Sequence, residues 1–276
     1  MLLDLLRSAV TLAADGDHVG IVLSGGLDSS TVACLAPPLP TFTGYYDAVG
    51  FDEREFARLV GAGRHHEILI TPEDFVTHFD DMCKHLTAPA MAFGQYMVAR
   101  YASNFVDTVV SGEGSDELFG GYARTLLAAG EPMPVGYEDY VPPADYPVND
   151  LPAALAYDWG NLPALLAVDD QMCAAFGMTS LAPFMDPRIV EYALALPPSE
   201  RVGKRHLRKV VRGLVPDVII DRQNKMGFPI PLVAWAQQEP VRTFVMDRVG
   251  KLPDPTKPWD RAWWHELVGV GIAAHV

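Results

Sequence analysis

The chain has 276 residues, 49% of them hydrophobic and 20% charged, and a formal net charge of −14, a composition that excludes a disordered chain. The acid excess disfavours nucleic-acid binding, which needs clustered lysine and arginine, and no stretch reaches the about 18 apolar residues of a membrane span. Its three cysteines are scattered without a CxxC pair, so we expect no cysteine zinc site, no disulfide framework and a cytoplasmic location.

The first half of the chain alternates between predicted strands and predicted helices. Short apolar segments predict four strands: Val19–Leu23, Thr41–Tyr45, Glu67–Ile70 and Val106–Val110. Helices are predicted between them: Asp28–Leu35, Asp52–Val60, a helix opened by Thr71 and Pro72, and Met91–Ser103. This alternation predicts an α/β fold with a doubly wound parallel sheet, in which ligands bind beyond the carboxyl ends of the strands.

The second half of the chain lacks this alternation. Six prolines predict a loop over residues 130–152. Beyond the loop we predict helices only: Leu162–Phe176, Arg188–Leu196, Lys204–Leu214 and Pro240–Val249. We therefore expect one domain over residues 1–276, with an α/β part over 1–129 and a helical part over 153–276 that completes the site.

The segment Ser24-Gly25-Gly26-Leu27-Asp28-Ser29-Ser30 lies between the first predicted strand and a predicted helix. Its glycines let the backbone approach a ligand closely, and the helix start directs free N–H groups at an anion. The segment lacks the GxxxxGK[ST] pattern of the usual phosphate-binding loop. It predicts a phosphate site of another kind.

A second segment, Ser111–Tyr122, follows the fourth predicted strand. In a parallel sheet it opens at the same edge as the first segment. Its acids Glu113, Asp116 and Glu117 would repel one another unless a cation such as Mg²⁺ lies nearby. Taken alone, the segment also fits an exposed acidic turn.

Together the two segments resemble the synthetase domain of the asparagine synthetase family, whose relatives include β-lactam synthetase and lasso-peptide cyclases. The first segment resembles the pyrophosphate loop (PP-loop) of enzymes that cleave ATP between its α and β phosphates. Further matches extend the resemblance to about residues 1–240: Pro183–Arg188, Lys204–Arg208 and Arg222–Pro231.

The resemblance implies a role for each matching residue. The implied ATP-binding residues are Leu23, Ser24, Gly25, Gly26, Asp28, Ser29, Ser30, Gly44, Ser111, Gly112 and Lys225. Asp28 and Asp116 would hold Mg²⁺. Glu113 and Lys204 would flank the reacting acyl group, as general base and oxyanion-stabilising cation respectively, with Tyr122 as a third catalytic candidate. The implied reaction adenylates a small carboxylic acid and transfers its acyl group to ammonia or an amine.

The chain departs from the family pattern in two respects. Residue 2 is Leu2, where glutamine-dependent members have a catalytic cysteine, so we expect the nitrogen to come from ammonia, an amine or a separate glutaminase subunit. Leu181 and Thr179 replace an arginine and a glutamate of the family pattern, and Thr87-Ala88 replaces Asp-Glu. Because Leu181 cannot pair with a side-chain carboxylate, we expect either an acyl substrate other than aspartate and more apolar, or an asparagine synthetase of relaxed specificity.

Two other functions use the same phosphate loop. A PP-loop enzyme that modifies tRNA would need a basic surface, which the acid excess disfavours. A non-catalytic nucleotide-binding subunit would not need Glu113 or Lys204, and both are present.

Overall fold

A computed structural model contains one five-stranded sheet, and every neighbouring pair of strands in it is parallel. The structure describes residues 1–48, 52–61, 64–134, 137, 140–222, 230–255 and 260–275. The strands are β1 Val19–Val22, β2 Thr41–Tyr45, β3 His65–Leu69, β4 Thr108–Val110 and β5 Thr179–Leu181. Their order is β3-β2-β1-β4-β5. The predicted α/β fold with a doubly wound parallel sheet is confirmed.

Helices surround this sheet. In the first half of the chain they are α1 Leu2–Ala13, α2 Leu27–Leu35, α3 Arg54–Val60, α4 Pro72–Cys83, α5 Phe93–Ala102, α6 Ser115–Phe119 and α7 Ala123–Ala128. In the second half they are α8 Leu151–Ala174, α9 Pro187–Leu194, α10 Pro198–Arg201, α11 Arg205–Val210, α12 Asp217–Ile220, α13 Leu232–Trp235, α14 Val241–Val249 and α15 Arg261–Ala273. Short 3₁₀ turns cover Pro183–Met185 and Val202–Lys204.

Strand β5 corrects the expectation of helices only beyond residue 153. Its residues pair in register with β4, so that Thr179 faces Thr108 and Leu181 faces Val110. A three-residue strand shows too little alternation to be recognised in a sequence. It forms because it satisfies the hydrogen-bonding groups on the otherwise open edge of β4.

Helix α8 begins earlier than the predicted start at Leu162. The Asp150 carboxylate caps it by accepting the Ala153 N–H at 3.1 Å. Pro152 lies in its first turn, where the missing N–H costs no hydrogen bond. Pro163 lies inside the helix on an exposed position. The described residues of 130–150 contain neither helix nor strand, whereas the last two positions of the loop predicted over 130–152 belong to α8.

Two apolar clusters cover the two faces of the sheet. The neighbouring residues Val109 and Val110 point to opposite faces of β4 and belong to different clusters. The first cluster packs α4, α5, α14 and α15 around Phe75, and the second packs α1, α2, α9 and α11 around Ile21. Both faces are therefore buried, as a doubly wound sheet requires.

The strand order places a switch point between β1 and β4. From β1 the chain continues to β2 and β3 on one side of the sheet, and β4 and β5 lie on the other side. The segments after β1 and β4 therefore diverge at adjacent strand ends, which leaves a crevice where doubly wound proteins bind ligands.

Candidate active site

The segment after β1 forms a tight loop held by its own hydroxyl groups. Gly25 has φ +76°, and a Cβ there would lie 2.7 Å from the Ala57 nitrogen, so only glycine fits. The Ser24 and Ser29 hydroxyls lie 3.0 Å apart. The buried Ser30 hydroxyl has no partner among the described residues, which leaves one donor for a bound phosphate oxygen.

Leu23 and Gly44, the residues expected near adenosine, lie at the carboxyl ends of neighbouring strands. The Leu23 backbone donates to the Phe42 carbonyl at 2.9 Å, and its own carbonyl accepts the Thr43 hydroxyl. Gly44 follows on β2 and is partly exposed, so its backbone is accessible at this edge.

The loop after β4 packs directly on the loop after β1. The Ser115 hydroxyl donates to an Asp28 carboxylate oxygen at 2.7 Å. A Cβ on Gly112 would lie 2.7 Å from the Ser29 nitrogen and 2.8 Å from Asp28 Cβ. The two loops predicted to share one edge are thus in contact, and glycine is required where they meet.

Glu113 lies half-buried in this second loop. Its backbone N–H donates to the Ser111 hydroxyl at 3.4 Å, and the Ser111 N–H donates to the Leu181 carbonyl at 2.9 Å. The next residue, Gly114, has φ +85° and packs against the Met185 side chain. Leu181, at the end of β5, is 36% exposed, so the β5 side of the Glu113 loop presents apolar side chains.

Lys204 joins the two carboxylates that were expected to hold Mg²⁺. Its ammonium nitrogen lies 2.5 Å from an oxygen of Asp28 and 2.5 Å from an oxygen of Asp116. The lysine is 3% exposed. Two hard oxygen donors that converge on one point suit a divalent cation, so these residues fit Mg²⁺. Among the described residues no group of three or more acids, histidines or cysteines is arranged to hold a metal ion, so the other ligands of a bound Mg²⁺ would be phosphate and water.

The backbone of Lys204 is left-handed, with φ 59° and ψ 28°. A non-glycine residue in this region costs about 1–2 kcal/mol. Gly203 is also left-handed and donates its N–H to the Gly120 carbonyl at 2.8 Å. Gly121 lies so close to Asp116 and to the Lys204 side chain that a Cβ would collide with both. Lys204 is therefore strained and tightly seated, which is typical of functional residues.

The Tyr122 hydroxyl donates to the Glu117 carboxylate. Glu117 is fully buried, and burial raises its pKa. The Arg124 guanidinium lies 3.9 Å above the Tyr122 ring and donates to the buried Asp158 carboxylate at 2.7 Å. Tyr122 thus belongs to a partly buried network that links Glu117, Arg124 and Asp158.

Lys225, the remaining expected phosphate ligand, lies outside the described residues. Arg222 precedes it, forms an ion pair with Glu53, and lies 4.1 Å above the Phe56 ring. Because Glu53 and Phe56 adjoin the Gly25 loop, the chain is anchored beside that loop three residues before Lys225.

Sequence reasoning assigned no role to Ser115, Arg201 or Arg208. Ser115 lies inside the Ser111–Tyr122 segment, so its position there could have identified it as a site residue. The two arginines belong to a basic cluster between residues 201 and 212, and a run of like charges is usually a solvated helix face. Arg201 is instead buried, because its guanidinium donates to backbone carbonyls of α6.

Comparison with known proteins decides the family. The family model described as asparagine synthase matches residues 1–146 and 150–268. The chain belongs to the asparagine synthase family. This membership agrees with the resemblance carried by the two loops and by the Lys204 segment.

The chain is similar to several glutamine-hydrolyzing asparagine synthetases. It is 28% identical to asparagine synthetase 1 of Bacillus subtilis (strain 168), over 80% of this chain and 48% of that protein. Identity is 26% with a putative asparagine synthetase of Mycobacterium bovis, over 94% of this chain and 49% of that protein. Identity is 32% with the enzyme of Cricetulus griseus, over 70% of this chain and 35% of that protein. The chain spans about half the length of the first two relatives.

Among the described helices, none is both long enough and apolar enough to cross a membrane.

Proposed function

We propose that the protein is an ATP-dependent amide ligase that forms AMP and pyrophosphate. The main support is the contact of the buried Lys204 ammonium with Asp28 and Asp116, beside the Ser24–Ser30 loop. A substrate carboxylate oxygen would attack the α-phosphate of ATP, and pyrophosphate would leave. An amine would then attack the acyl carbon, and AMP would leave.

In the first step the chain would bind and stabilise the departing pyrophosphate. The Ser30 hydroxyl and the backbone N–H groups at the start of α2 supply donors for its oxygens. Asp28 and Asp116 would hold Mg²⁺, which neutralises negative charge on the leaving phosphates. Lys204 would move from the carboxylates to the phosphate or acyl oxygen as the cation binds.

In the second step Glu113 would accept a proton from the attacking amine. Its loop adjoins the end of β5 through the Ser111–Leu181 hydrogen bond, which places Glu113 two residues from that contact. Lys204 would stabilise the developing oxyanion on the acyl carbon. Tyr122 would act by holding Glu117 rather than by touching the substrate, because its hydroxyl is already used there.

The acyl substrate that we propose is more apolar than aspartate. Leu181, which stands where the family pattern has arginine, borders the Glu113 loop and is 36% exposed. Met185 lies beside Gly114 in the same loop. Apolar side chains at this place favour an apolar substrate and offer no partner for a second carboxylate.

The nitrogen source in this proposal is ammonia or an amine, delivered freely or by a separate glutaminase subunit. The three cysteines are free, with Cys83 and Cys173 buried, which agrees with a reducing compartment such as the cytoplasm.

Pyrophosphate release with ATP, Mg²⁺ and ammonia, measured across a panel of carboxylic acids, tests the proposal. We expect release only with a suitable acid, together with AMP and the amide in equal amounts. Asparagine formed from aspartate at ordinary rates would contradict the apolar substrate but support the ligase. A non-catalytic subunit would release no pyrophosphate with any acid, and a tRNA-modifying enzyme would need tRNA.

A further inference from the structure

Two arginines, the buried Arg201 and the half-buried Arg208, contact the segment that contains the left-handed Lys204 turn. The Arg201 side chain donates to the Leu118 carbonyl at 2.7 Å and to the Glu117 carbonyl at 3.2 Å. Arg201 precedes Lys204 by three residues, and the two carbonyls belong to α6, the helix that carries Asp116. These hydrogen bonds from Arg201 therefore hold the Lys204 segment against α6.

Arg208 holds the same turn from the other side. Its Nε donates to the Gly203 carbonyl at 3.0 Å, and it donates to the Arg222 carbonyl at 3.5 Å. The remaining guanidinium nitrogen is buried and has no partner among the described residues. Gly203 is thus held at both ends, because its N–H donates to the Gly120 carbonyl at 2.8 Å.

Neither arginine forms an ion pair with a carboxylate in the part of the chain that the structure describes. Burial lowers the pKa of both guanidinium groups. A guanidinium group that has little contact with water and donates only to carbonyls contributes little to stability by itself. The position of two such groups at the strained Lys204 turn indicates a role in setting the geometry of the site.

We propose that Arg201 and Arg208 are positioning residues that hold the Gly203–Lys204 turn left-handed and so direct the Lys204 ammonium between Asp28 and Asp116. The catalytic consequence of this proposal rests on the proposed function. The geometric part does not, because the position of Lys204 can be measured without turnover.

Acetylation by acetic anhydride, followed by mass spectrometry of peptides, measures how accessible each lysine is. In the unaltered protein Lys204 should be acetylated far more slowly than the exposed Lys251. In Arg201→Met and Arg208→Met we expect acetylation of Lys204, relative to Lys251, to rise by about tenfold or more as local protection is lost. Arg201→Lys, which cannot bridge both carbonyls, should give a smaller rise.

Arg205→Met is the matched control. Arg205 adjoins Lys204 in sequence, but its side chain is exposed and pairs with Glu131 at 2.6 Å. We expect this variant to leave Lys204 protected. Thiol titration of the buried Cys83 and Cys173 reports whether each variant remains folded.

Turnover supplies the second readout. Misplacing a catalytic group by about 1 Å can cost about 100-fold, so kcat should fall by that order in Arg201→Met, with little change in KM for ATP. Unchanged protection of Lys204 in folded Arg201→Met and Arg208→Met would overturn the proposal. Where Arg201→Met does not fold, unchanged protection in Arg201→Lys would do the same. A protein that made no amide but gave the expected acetylation would contradict only the proposed function.

Discussion

Gly112 determines how closely the two loops of the candidate site approach each other. A methyl group there would lie 2.7 Å from the Ser29 nitrogen and 2.8 Å from Asp28 Cβ. Such overpacking costs about 1–3 kcal/mol, so Gly112→Ala should weaken ATP binding by about 10- to 100-fold. Isothermal titration calorimetry with ATP and Mg²⁺ measures the loss.

Gly160→Ala controls for the change of residue type. A Cβ at Gly160 meets nothing within 4 Å, and the residue lies within helix α8. This variant should keep its ATP affinity and gain about 1 kcal/mol of stability from helix propensity. Unaltered ATP binding in Gly112→Ala would mean that the nucleotide does not depend on the contact between the loops.

Substitutions of the two carboxylates that contact Lys204 and of Glu113 should have different effects on turnover. Asp28→Asn or Asp116→Asn should abolish pyrophosphate release, because each removes one of the two negative charges proposed to hold Mg²⁺. Glu113→Ala should retain ATP binding but lose amide formation, since its proposed role is proton transfer. A pyrophosphate assay and ATP titration separate the two classes. Near-normal turnover in all three variants would mean that the site lies elsewhere.

At the scale of elements, local signals predicted most of the fold. Apolar runs located four strands, and Thr71 with Asp74 forms the capping box that starts α4. Strand β5 was missed because three residues carry no period, and the start of α8 was misplaced because prolines were interpreted as breakers. Both errors arose where tertiary context outweighs local preference.

The candidate site was predictable to a similar extent. Parallel strands imply that the loops after β1 and β4 share an edge, and they are in contact through Ser115 and Asp28. The sequence does not indicate the contact between Lys204 and Asp28, because the two residues lie 176 positions apart. The burial of Arg201 could not be predicted either, since the sequence alone does not show which residues of the basic cluster face α6.

Helices α7 and α8 are joined through the buried Asp158. Its carboxylate accepts hydrogen bonds from Arg124 and Thr125 at 2.7 Å and from Tyr146 at 3.2 Å. Asp158→Ala would leave the Arg124 cation without its anion, which costs about 3–5 kcal/mol. Urea unfolding should show this loss. The exposed Asp170→Ala on the same helix should change stability little, and equal effects of the two variants would contradict the role of the network.

Strand β3 should make stability depend on pH. Burial lowers the pKa of His65 and His66 below the ordinary value of 6.5, so the folded protein favours their neutral forms. Their contribution to stability is present above pH 6.5 and is lost as pH falls through the lowered pKa values. The melting temperature should therefore fall less below pH 6.5 in the variant His65→Gln/His66→Gln than in the unaltered protein. Identical pH profiles would contradict this account.

At the scale of the whole molecule, the C-terminal helix is part of the main core. Helix α15 packs on α4, and a Cβ at Gly271 would lie 2.5 Å from the Cys83 sulfur and 2.9 Å from Phe79 Cε1. Gly271→Ala should therefore lower stability by about 1–3 kcal/mol despite its better helix propensity.

Gly269→Ala is the control on the same helix, because its Cβ meets only Pro89 at 3.8 Å. Thermal unfolding should show a lower melting temperature for Gly271→Ala and an unchanged or higher one for Gly269→Ala. Equal shifts would mean that α15 is not packed closely on α4.

The contact between Lys204 and Asp28 also bears on synthesis of the chain. A contact between residues 176 positions apart closes a long loop. Closing that loop lowers the conformational entropy of the chain before other contacts offset the loss, so such contacts form late in folding. A nascent chain that has not reached Lys204 holds Asp28 and Asp116 without the ammonium that joins them. A product truncated before Lys204 would therefore lack the ammonium that lies between its two carboxylates.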